Sequence, residues 1–147
     1  MTDQFFQRDA NHVPIVNLGL MASKAITYVA GTTGATGATT LFTVTGVVGV
    51  RIFGYCGTDL TSGGAATLEV GIAGNTAALL AQTTATGIDA GEFWIDTGPA
   101  TIELLPAISL VGADIIQTIG TTTVSGGVLT YYCLWNPISS DGNVVAA

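Results

Sequence analysis

Between residues 65 and 73 the chain reads Ala65-Ala66-Thr67-Leu68-Glu69-Val70-Gly71-Ile72-Ala73, so Ala66, Leu68, Val70 and Ile72 alternate with Ala65, Thr67, Glu69 and Gly71. Successive side chains of a strand point to opposite faces, and a period of two therefore predicts a strand with one buried face. Runs of the same kind recur at 25–30, 40–45, 47–56, 92–96, 101–105, 113–120 and 128–135. They are rich in Thr and Val, whose branched Cβ suits a pleated surface. The turns between them, Thr58 to Gly64, Ala73 to Thr76, Asp89 to Glu92 and Ser125 to Gly127, supply residues that tolerate positive φ. About eight strands make the expected fold all-β, an antiparallel β-sandwich or a jelly-roll-like barrel. Ser125-Gly126-Gly127 lies between two alternating runs, which predicts that 113–124 and 128–135 pair as an antiparallel hairpin. Residues 77–88 read as strand or loop.

Both ends read as additions to a core domain at 25–136. In 1–24, Pro14 interrupts the apolar stretch Val13 to Leu20 and excludes a central strand position, so an extended N-terminal arm is expected. Residues 137–147 leave the last strand at Pro137 and are expected to form a C-terminal tail. Between 31 and 39 Gly falls at every third position, but without Pro and over so short a run it reads as a loop rather than a collagen triplet array.

Of 147 residues only 13 are charged (3 Lys+Arg and 10 Asp+Glu), a share of 9% where a soluble domain carries about 25%. Hydrophobic residues at 48% are ample for a core, and intrinsic disorder is disfavoured. A compact chain of this mass exposes roughly 7,000 Å², of which so few ions cover under about a fifth. With a net charge of −7 and Arg8, Lys24 and Arg51 as the whole cation set, no patch neutralises several phosphates, which argues against nucleic acid as a partner. Mean hydropathy is +0.59, yet no apolar run approaches the roughly 18 residues of a spanning helix. The start Met1 to Asp9 lacks a basic region and an apolar core, so no secretory signal is read there. The expectation is a soluble protein, made in a cytosol, that does not bind membranes.

Catalytic chemistry finds little material. His12, the sole histidine, sits in the arm beside Pro14, and a triad built on it would need the arm to fold back onto a fixed Ser and Asp. No nucleophile elbow, Walker loop or dinucleotide glycine motif occurs. Cys56 shares strand parity with Val48, Val50 and Ile52, and Cys133 with Leu129, Tyr131 and Trp135, so both are expected as free buried thiols. Two cysteines and a distant histidine do not make a zinc site. Asp89, Glu92 and Asp96 surround a turn but match no calcium loop, and they read as a solvated or interface-facing acidic edge. On a strand Glu92, Trp94 and Asp96 would face one side, and Phe93 and Ile95 the other. No catalytic residue, cofactor or metal is therefore assigned.

A Thr, Gly, Ala and Val surface with a single Lys leaves sheet edges unguarded, which points to a chain covered by copies of itself or by a larger partner. Gly74-Asn75-Thr76-Ala77-Ala78-Leu79-Leu80-Ala81-Gln82-Thr83-Thr84, continuing to Asp96, and Tyr131-Tyr132-Cys133-Leu134-Trp135-Asn136-Pro137, continuing to Asn143, resemble small virion proteins of tailed bacteriophages. Among these the chain is most similar to head decoration (cement) proteins. The resemblance implies a non-enzymatic structural protein on the capsid surface, a homo-oligomer and often a homotrimer, assembled in the host cytoplasm. Its partners would be the major capsid protein and sister subunits. By analogy the interface would hold Val13, Pro14, Ile15, Leu18 and Leu20 of the arm, with Ile138, Val144 and Val145 of the tail. Alternatives are another particle component, such as a head fibre base or tail protein, and a carbohydrate-binding sandwich presenting Trp94, Tyr131 or Trp135.

Overall fold

The computed structural model describes residues 19–147. Ten strands follow one another: β1 Leu20–Thr27, β2 Gly37–Thr45, β3 Val48–Ser62, β4 Thr67–Ile72, β5 Asn75–Thr84, β6 Phe93–Trp94, β7 Ser109–Val111, β8 Ile115–Gly120, β9 Val124–Pro137 and β10 Asn143–Ala146. One 3₁₀ turn, Ala85–Gly87, follows β5. The strands form two antiparallel five-stranded sheets, a sandwich rather than a closed barrel. The first runs β1-β9-β3-β6 with β7 also on β3, and the second runs β10-β2-β8-β4-β5.

Parity builds the core. β3 turns Val50, Ile52 and Cys56 inward, and β9 turns Leu129, Tyr131, Cys133 and Trp135 onto them; from the second sheet come Leu68, Val70, Ile115 and Ile119. Each fully buried Ile or Leu contributes about 1.5–3 kcal/mol, and β3 with β9, paired from Val48↔Pro137 to Ser62↔Val124, forms the spine. Among the described residues Gln117 is fully enclosed; its Oε1 accepts from the hydroxyls of Tyr28 and Tyr131 at 2.8 Å each, while its Nε2 has no hydrogen-bond partner. Trp94 enters the core with its Nε1 donating to Thr83 Oγ1 at 3.1 Å. At the β1 edge, Lys24 Nζ donates to the carbonyls of Thr40 and Ala147, which ties the first sheet to the second.

Four expectations are corrected. The runs 113–124 and 128–135 do not form a hairpin, because β8 pairs with β2 and β4 in the second sheet and β9 pairs with β1 and β3 in the first. The chain changes sheet at Thr121 to Thr123, where Thr121 takes φ +68. Gly126 and Gly127 instead form an irregularity within β9 against Thr58 to Thr61. Gly127 has φ +105, and a Cβ there would lie 2.4 Å from the Asp59 carbonyl oxygen, so the glycine pair serves a close strand approach rather than a turn.

The run 101–105 is not a strand: residues 101–108 are irregular, and its apolar side chains do not reach the core. The C-terminal residues are not a free tail, since β10 pairs with β2 from Asn143↔Thr45 to Ala146↔Phe42. Val144 alternates inward to 4% exposure and joins the core. At the other end β1 takes in Leu20 to Lys24, residues the sequence reading placed in the arm.

Candidate interaction surface

The two sheets differ on the faces they turn away from the core. The second sheet shows Thr67, Glu69, Gln82 and Thr84 there, with the half-buried Ile116 among them, which is the mostly polar outer layer of an ordinary sandwich. The first sheet shows Arg51, Phe53 and Tyr55 on β3, Tyr132 and Leu134 on β9, and Phe93 on β6. Phe53 stacks on Tyr132 with centroids 5.3 Å apart, and Phe93 meets Phe53 at 6.1 Å and Tyr55 at 5.3 Å. Such rings attract by offset and edge contacts. A strand apolar on both faces belongs in a layer covered on both sides.

The segment after β6 extends this face. Ile102 and Leu104 are each 87% exposed. Ile102, with Phe53, Phe93, Ile95, Glu103 and Leu105, lines an open hollow of about 300 Å³. At the far end of β3, Ile108 and Ile138 pack over Gly49, where an added Cβ would lie 3.0 Å from Ile108 Cγ2. Leu110 stands opposite Gly49 and is exposed.

Carboxylates around the face are mostly committed to main-chain amides. Asp59 Oδ1 accepts from Ala90 N at 2.6 Å, Glu92 Oε2 from Asp89 N at 3.0 Å, Asp96 Oδ1 from Gly98 N at 2.7 Å and Asp114 Oδ1 from Val44 N at 2.9 Å. Glu92 and Asp96 therefore brace turns with their carboxylates, and Asp89 enters through its main-chain N–H and carbonyl. Among the described residues no group of three or more His, Cys, Asp or Glu could hold a metal ion, and no helix is long and apolar enough to cross a membrane.

Cys56 and Cys133 are free and buried, as strand parity implies. Cys56 stands opposite Leu129 and Cys133 opposite Ile52, so four residues of ladder, about 13 Å, separate them, beyond disulfide reach. Burial pushes the Cys133 thiol up to about 12 and raises Cys56 as well. Burial also raises the hydroxyls of Tyr28 and Tyr131 above the ordinary tyrosine value.

Of the interface residues read from the sequence, Val13, Pro14, Ile15 and Leu18 lie outside the described residues, as does His12. Leu20, Ile138 and Val145 are exposed. Val144 is core, and Trp94, Tyr131 and Trp135 are buried, so none of those three rings offers a platform to a sugar. The sequence reading missed Phe53, Tyr55, Phe93 and Tyr132 as a group. Their signal was present: each shares a strand with a core row and stands at the opposite parity. No family model, no curated protein and no solved structure matches the chain.

Proposed function

We propose that the chain is a non-enzymatic structural protein of a tailed-bacteriophage particle, decorating and stabilising the capsid as a homo-oligomer, with the major capsid protein and sister copies as its partners. The observation that carries the reading is the aromatic outer face of the first sheet, on a chain with 13 charges in 147 residues. A free sandwich loses solubility by showing such a face to water, whereas a subunit of a shell hides it against protein. Function is then binding energy repeated over many copies, and no reacting group is required. The resemblance of residues 74–96 and 131–143 to head decoration proteins supplies the setting.

The experiment is a density gradient of particles probed with an antibody against the chain, followed by electron microscopy of the labelled fraction. Co-banding with label over the heads is the expected result. Recovery of the chain only in particle-free fractions would overturn the virion assignment.

A further inference from the structure

We infer that the outer face of the first sheet is the seat of a second copy of this chain, with Arg51 of one copy meeting Glu103 of the other. The inference rests on the reading that the chain works by assembly, and it names the surface and the occupant.

Arg51 is half-buried between Gly49 and Phe53 on the outer row of β3, opposite Leu134. Its Nε is enclosed and has no hydrogen-bond partner, and among the described residues the guanidinium forms no ion pair. Glu103 is half-buried in the hollow beside Phe53 and Phe93, and among the described residues it too forms no hydrogen bond or ion pair. The other described cation, Lys24, is held by two carbonyls. One unpaired cation and one unpaired carboxylate thus share an otherwise apolar face.

A partly dehydrated guanidinium calls for a carboxylate, and a partly dehydrated carboxylate for a cation. A foreign acidic partner would satisfy Arg51 and set its charge against Glu103, while a basic one would do the reverse. A copy of the same chain satisfies both, since across a symmetric contact residue i meets j while j meets i. The size also fits. Ile102, Leu104, Ile108, Leu110 and Ile138 expose together on the order of 700 Å², near the ~800 Å² that each partner buries in a standard interface.

The test is the self-dissociation constant of the full chain from concentration-dependent sedimentation. Arg51→Glu alone and Glu103→Arg alone should each raise it by at least about 30-fold, the loss expected when one member of a buried charge pair is reversed. Arg51→Glu with Glu103→Arg should restore it to within a few-fold. Ile102→Ser with Leu104→Ser, at highly exposed positions, should weaken association while leaving the melting temperature of the dissociated chain, read at high dilution, unchanged. Single reversals without effect, a double reversal without rescue, or a serine pair that associates like the parent chain would each overturn the inference. The virion assignment is read separately in the gradient: association through this face with no particle binding keeps the inference and removes that assignment.

Discussion

The rings of Phe53 and Tyr132 stack 5.3 Å apart at 22° on the side of the first sheet that faces away from the core. They sit in directly paired positions of β3 and β9, so the strongest pairing of the fold also carries its most apolar outer surface. Phe53→Ala removes that pair and the contact with Phe93 and should lower folding stability by about 1–3 kcal/mol. Leu104→Ser, at a side chain 87% exposed, should stay within about 0.5 kcal/mol. Urea titrations of the two variants, at a dilution where the single chain prevails, check the contrast.

Among the described residues Gln117 is the acceptor outside the pair for two buried hydroxyls, those of Tyr28 and Tyr131, which otherwise face each other at 3.2 Å. Gln117→Leu keeps the volume and removes that acceptor, together with the Gln117 Nε2, which is buried without a hydrogen-bond partner and so offsets part of the loss. Stability should fall by about 1 kcal/mol, the low end of the penalty for a stranded buried polar group, since one hydroxyl still donates to the other. A variant as stable as the parent would mean that the hydroxyls find other partners.

Two glycines separate close approach from simple flexibility. A Cβ on Gly34 would lie 1.8 Å from the carbonyl oxygen of Val124, which accepts nothing so near without main-chain movement, and Gly34 O itself accepts from Val124 N. Gly34→Ala should destabilise by more than about 3 kcal/mol. Gly74, with nothing within 4 Å of an added Cβ, should tolerate alanine to within about 0.5 kcal/mol. Thermal melts of the pair decide it.

The buried thiols set an alkaline limit. Cys133 titrates near 12 in the folded chain, raised by burial, against about 8.5 when unfolded. Between these values the unfolded chain has released the proton and the native one retains it, so stability is complete below about pH 8.5 and falls as pH rises. Tyr28 and Tyr131, raised for the same reason, steepen the loss above about pH 10. Cys133→Ala should flatten the slope between pH 9 and about 11. At pH 8 neither thiol should react with a disulfide reagent in native buffer, and both should react in denaturant.

Much of this architecture was legible from parity alone. Alternation placed Cys56 and Cys133 inside and separated Trp94 from Phe93 and Ile95, because the period of two is a property of the strand and not of its partner; it did not show which side was core, and Trp94, read on the side of Glu92 and Asp96, is fully buried. Pairing was harder to read. Ser125-Gly126-Gly127 carries the composition of a turn, yet the same freedom at Gly127 lets β9 approach Asp59 on β3, and composition does not separate the two uses. Thr121 makes the change of sheet with a positive φ that a threonine does not advertise. Ile102 and Leu104 alternate like core residues and face outward. An apolar row reports that something will cover it; whether the cover lies in the same chain is settled by topology.

Sedimentation equilibrium of the purified full chain, run from low to high micromolar concentration, reads the covering of the first sheet most directly. A weight-average mass of at least twice 14.8 kDa, falling toward the single-chain value on dilution, is expected of a chain whose outer face seats a second copy. A mass fixed at 14.8 kDa throughout, with the protein in solution, would contradict it.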